Sequence, residues 1–168
     1  MENDKLSPTS LAFIALTNEY CQLVENCGDH GREGMVEALI KLLPRIYITV
    51  TDLEPNLEYL DAFISQALDE ASYDVVRDNL SALMGEDDAY LEVFLDDMKY
   101  SDTPIATSIS ENLADLYQEF FNLIHSIQDA LTETQHEMLC QCKMNAENYW
   151  SQTLCNVLRA LNAINYGV

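Results

Sequence analysis

Apolar positions recur at helical spacing along most of this chain. Phe13, Leu16, Tyr20, Leu23 and Cys27 fall three or four residues apart and predict a first helix. Ser7-Pro8 opens it, Ser as cap and Pro in the first turn, and Gly28 reads as its stop. The glycine-rich stretch from Gly28 to Gly34 reads as a loop. A second stripe, Met35, Leu39, Leu42, Ile46, Val50 and Leu53, predicts a helix that Pro44 should kink or interrupt. Ile46 to Thr51 is β-branched and aromatic enough for a strand, but no partner strand is evident, and helix is the assignment. Residues 52–68 show no clean period.

Asp69 then caps a third helix, with Tyr73, Val76, Leu80 and Leu83 on one face and Gly85 as its stop. Leu91, Phe94, Leu95 and Met98 would share one face of a short helix over residues 87–98, followed by a loop from Ser101 to Pro104. Two stronger helices finish the chain. Ser108 with Glu111 forms a capping box ahead of the stripe Leu113, Leu116, Phe120, Ile124 and Ile127. Thr132 with Gln135 forms a second, ahead of Leu139, Ala146, Trp150, Thr153, Val157, Leu161 and Ile164. The short link between them predicts an antiparallel helical hairpin.

Only 5 Gly and 4 Pro interrupt 168 residues, which favours long helices over many short strands. The expected fold is therefore all-α: a single domain over residues 1–168, a bundle of five or six helices with the C-terminal hairpin at its centre. The acidic N-terminus and its short apolar run, Leu11 to Leu16, match neither a signal peptide nor a membrane span, so a cytoplasmic protein is expected. Five cysteines, an odd number without repeated spacing, do not resemble a disulfide framework. Cys140 and Cys142 would point to opposite sides of a helix and read as small hydrophobes.

Charge changes this picture. The chain carries 29 acidic and 8 basic residues, a net charge of −21, yet 48% of it is hydrophobic. A disordered acidic tail would lack that apolar content, so this is a packed core inside a negative coat. Such a coat argues against direct nucleic-acid binding and anionic membranes, and favours cations or a basic protein partner. Residues 52–102 hold 15 of the acidic side chains and 2 of the basic ones, and form the negative pole.

If residues 87–98 are helical, Asp88, Glu92 and Asp96 line one face, as a divalent-cation site or as an ordinary solvated row. Glu111, Asp115 and Glu119 form a second row opposite the buried stripe and should face water. A single Glu133-x-x-His136 pair in the first turn of a helix is better explained by the helix dipole than by a di-iron site, which needs two such pairs. No phosphate loop, nucleophile motif or EF-hand loop is present, so no catalytic residue, metal ligand or cofactor is assigned. Trp150 lies on a buried stripe, and Arg159, opposite it, should pair with a carboxylate.

Several segments carry a further signal: Tyr73-Asp-Val-Val-Arg77, Asp88-Ala-Tyr-Leu-Glu-Val-Phe94, Ser108 to Gln118, Tyr149-Trp150 and Leu158-Arg-Ala-Leu161. Together, over roughly residues 69–166, the chain resembles the bacterial family termed domain of unknown function 5063, in a Bacteroidetes-like form. The resemblance implies a helical cytoplasmic protein and no known activity. Its pattern residues would be Tyr73, Arg77, Asp115, Tyr149, Trp150 and Arg159, with no role attached to any of them. The candidate binding residues are then Arg77, Asp88, Glu92, Asp96, Tyr149, Trp150 and Arg159. The expected function is a non-enzymatic acidic interaction or regulatory module with a basic protein partner. A carboxylate-based divalent-metal protein or metal-dependent hydrolase is the alternative, and a homodimer closed by leftover apolar surface is a third.

Overall fold

The helical stripes become helices whose buried faces meet in one core. The structure, a computed structural model, describes residues 5–54, 63–92 and 104–168. Its elements are α1 (Pro8–Glu25), α2 (Cys27–Asp52), α3 (Glu70–Met84), β1 (Ala89–Glu92), β2 (Ile105–Ser108), α4 (Ile109–Ile127), α5 (Thr132–Asn145) and α6 (Ser151–Tyr166). A 3-10 turn, Gly85–Asp88, links α3 to β1, and a π-helical turn, Ala146–Trp150, links α5 to α6. This is an all-α bundle with one small antiparallel ribbon among the described residues, β1 on β2, pairing Ala89 with Ser108 and Glu92 with Ile105.

Three of the helix starts are capped as the sequence predicts. Ser7 Oγ accepts the Ser10 N–H at 3.1 Å, Asp69 the Ser72 N–H at 2.7 Å, and Ser108 Oγ the Glu111 N–H at 3.2 Å. Each such cap contributes about 1 kcal/mol. The fourth differs: Leu131 takes the capping position of α5, without a side-chain cap. Gln135 instead donates its amide to the Ile127 carbonyl at 3.0 Å, tying the start of α5 to the end of α4.

The centre of the bundle is α4, which packs against α1, α3, α5 and α6. Phe120, fully buried, meets the edges of Tyr20 and Trp150, each with ring centroids 5.1 Å apart and planes at 89°. Such edge contacts add about 0.5–1.5 kcal/mol each to the burial itself. The Tyr20 hydroxyl donates to the Leu113 carbonyl at 2.7 Å, so its polar tip is satisfied inside the core. The second stripe is equally well read: Met35, Leu39, Leu42, Ile46, Val50 and Leu53 are all buried.

Three expectations need correction. Gly28 to Gly34 is no loop. α1 ends at Glu25, α2 begins at Cys27, and the backbone leaves helical geometry only at Gly31 (φ 67°, ψ 171°), a conformation open essentially to glycine alone. The other glycines there cost some helix propensity but break nothing. α2 also runs on through Pro44 uninterrupted, while Ile46 to Thr51 is helix as assigned. The short helix over residues 87–98 is replaced at its start by β1, and the sequence reading missed β2 altogether. Gly85, at φ 59°, ends α3 and turns the chain, and β-branched Ile105 and Thr107 supply the partner strand. Phe94, Leu95, Met98 and the loop from Ser101 to Thr103 lie outside the described residues.

Candidate functional site

The correction at 87–98 dissolves the first acidic row. Asp88 ends a 3-10 turn and Glu92 lies in β1, so they do not share a helix face, and Asp96 lies outside the described residues. The Asp88 carboxylate is occupied. Oδ1 accepts the Ser110 N–H at 2.8 Å, and Oδ2 accepts the hydroxyls of Ser110 at 2.7 Å and Ser81 at 3.1 Å. It latches the end of α3 to the first turn of α4, where a negative charge also suits the helix dipole.

The second acidic row is the more informative one, and it does not simply face water. Because α4 is packed on several sides, Glu111 is exposed while Asp115 and Glu119 are only partly exposed. α3 lays Tyr73 against α4, and its hydroxyl donates to Asp115 Oδ1 at 2.6 Å. One turn along α3, the Arg77 guanidinium sits 6.0 Å from the centre of the Tyr73 ring. Arg77 is already committed to Asp74 at 3.0 Å and Asp78 at 3.1 Å.

The wide turn between α5 and α6 brings the last component. Its Ser151 N–H reaches back five residues to the Ala146 carbonyl, the π pattern. Tyr149 projects outward, 60% exposed, while Trp150 is 1% exposed in the core beside Phe120. Trp150 is therefore a packing residue and offers no surface to a partner. Burial raises the pKa of the Tyr149 phenol, and the charges of Asp115 and Glu119 add to that rise.

The electrostatics of the row are unfavourable as they stand. Burial raises the pKa of Asp115, the Tyr73 hydrogen bond opposes this, and Glu111 adds to it. Burial also raises that of Glu119, followed by the charge of Asp115 one turn away. Neither carboxylate forms an ion pair among the described residues, where carboxylates pair only with Arg32, Lys41 and Arg77. A half-buried pair of carboxylates, one bonded to a phenol and neither in an ion pair among the described residues, is suited to accept an ammonium or guanidinium group. Among the described residues, no group of three or more His, Cys, Asp or Glu side chains is placed to hold a metal ion. His136, from the Glu-x-x-His pair, buries an unpaired Nε2 near Leu139 and Lys143, apart from these carboxylates.

Of the sequence-derived candidates, Arg77 borders this site through Tyr73, and Tyr149 feels the charges of its carboxylates. Asp115 and Glu119, its main charges, had been read as a solvated row. Arg159 is elsewhere: it is exposed on α6, forms no ion pair among the described residues, and borders a separate groove. Among the described residues no helix is long and apolar enough to cross a membrane.

The crystal structure of protein BF1032 from Bacteroides fragilis is similar to this chain with a TM-score of 0.83 and 30% sequence identity, covering 96% of this chain and 95% of that one. A comparison with curated proteins finds no match. The family profile described as a domain of unknown function (DUF5063) matches residues 4–167, so α1 and α2 belong to the family's fold as much as the segments between residues 69 and 166. The chain belongs to the DUF5063 family.

Proposed function

We propose that this protein is a non-enzymatic acidic module that binds a basic partner, and that Asp115 and Glu119 receive a lysine or arginine side chain of that partner. The observation that carries this reading is geometric: two half-buried carboxylates one helical turn apart, neither in an ion pair among the described residues; burial raises the pKa of both. A cation placed there relieves their repulsion and regains the interaction that burial has removed. A cation seated over the face of a nearby phenol ring would gain about 0.5–1 kcal/mol more at an exposed site. The net charge of −21 supplies long-range attraction, which speeds encounter and is screened by salt.

The test is an NMR titration of the protein with a short lysine-rich peptide, at low and then high ionic strength, with a glutamate-rich peptide as control. The expected result is a set of shifts centred on Tyr73, Arg77, Asp115, Glu119 and Tyr149, weakened by salt and lost in Asp115→Asn/Glu119→Gln. Shifts scattered evenly over all acidic surfaces, unchanged in that variant, would remove the reading. The metal alternative rests on the same two carboxylates. It wins if magnesium, calcium or manganese raises the melting temperature through them while the peptide does nothing.

A further inference from the structure

The groove beside Arg159 is separate from the acidic site and has the opposite character. It encloses about 550 Å³ between the β-ribbon and α6, within the range of small-molecule sites. Asn156, Arg159 and Asn162 lie three residues apart and line it from one face of α6. Leu91 and Ala163 supply apolar surface, and Tyr90 lines it from β1. Among the described residues no Asp or Glu side chain lines this groove, although Val168, the last residue, does.

Its donors are uncommitted. Arg159 forms no ion pair among the described residues. The Tyr90 oxygen accepts the Asn112 side-chain amide, which holds the ring in place and leaves the phenolic proton without an acceptor among the described residues. Among the described side chains Glu92 opposes this: it lies on the same face of β1 as Tyr90 and raises the pKa of its phenol after burial does.

We propose that this groove binds a small monocarboxylate with an apolar body, its carboxylate on the Arg159 guanidinium and the Tyr90 hydroxyl, its body against Leu91 and Ala163. A planar guanidinium matches a carboxylate through two parallel hydrogen bonds. A multiply charged anion fits less well, because one cation would face it while the whole chain repels it. This inference does not depend on the cation site.

The experiment is a titration with sodium octanoate, followed by NMR shifts of the groove residues and by thermal shift, with octanamide as the uncharged counterpart. Octanoate should move Tyr90, Asn156, Arg159 and Asn162 together, and octanamide should bind about tenfold more weakly or not at all. Arg159→Gln, at an exposed position, should weaken octanoate about tenfold, and Arg159→Lys should restore part of the loss. Glu92→Gln should tighten binding about twofold by removing the opposing charge. Ala163→Trp, also exposed, should block the groove with the guanidinium intact. Equal binding of octanoate and octanamide, full binding by Arg159→Gln or Ala163→Trp, or no response of the groove residues to octanoate would each overturn the proposal.

Discussion

Replacing Glu119 by Gln should make the protein more stable at neutral pH, although it removes a charge from an acidic surface helix. Glu119 is partly buried and receives no hydrogen bond among the described residues. It stands one helical turn from Asp115, which is also held above its ordinary pKa. A like-charge pair at this spacing costs about 0.2–0.5 kcal/mol. Partial burial of an unpaired carboxylate adds a comparable amount, about 0.5 kcal/mol after discounting for its remaining exposure. Glutamine has nearly the same shape and helix propensity, so the variant should gain about 1 kcal/mol. For a chain of this length that is a rise in melting temperature of about 2–4 °C.

The pH dependence identifies the cause. The pKa of Glu119 lies above its ordinary value of 4.5 in the folded state. As pH rises from that ordinary value through the raised one, the folded state holds more protons than the unfolded state, so stability falls. The penalty is complete above the folded pKa and absent below the unfolded one. Scanning calorimetry across that range should show wild type and Glu119→Gln together in acid and diverging toward neutral pH. A variant less stable than wild type at pH 7, or an offset that does not change with pH, would refute the reasoning.

Other changes test the frame around the site. Gly31→Ala meets open space but forces alanine into the glycine-only backbone region, so it should cost about 1–3 kcal/mol in urea unfolding. Asp88→Ala strips three hydrogen bonds from the junction of α3 and α4; a loss of about 1–3 kcal/mol is expected, seen as a lower melting temperature. Tyr20→Phe removes the buried bond to Leu113 and should lower the urea midpoint by about 1 kcal/mol of stability with an unchanged denaturant slope.

The parts of the fold that could be read from the sequence are those set by local periodicity and end chemistry. The stripe from Met35 to Leu53 and the caps at Ser7, Asp69 and Ser108 needed no knowledge of distant residues. What escaped depends on tertiary context. β2 exists because β1 lies across from it, and a four-residue strand carries almost no period of its own. Asp115 and Glu119 sit opposite a buried stripe and read as solvated. The packing of other helices around α4, α3 with Tyr73 among them, half-covers them. The family resemblance singled out Tyr73, Arg77 and Asp115 without a role, and the structure links these three in a row. Arg159, singled out with them, lines a different groove.

The most direct test of the cation-binding account is a carboxyl-carbon NMR titration of Asp115 and Glu119, with and without the lysine-rich peptide. The account predicts midpoints above the ordinary carboxylate range in the free protein, dropping toward or below that range when the peptide binds. Ordinary midpoints in the free protein, or raised ones the bound peptide leaves unmoved, would contradict it.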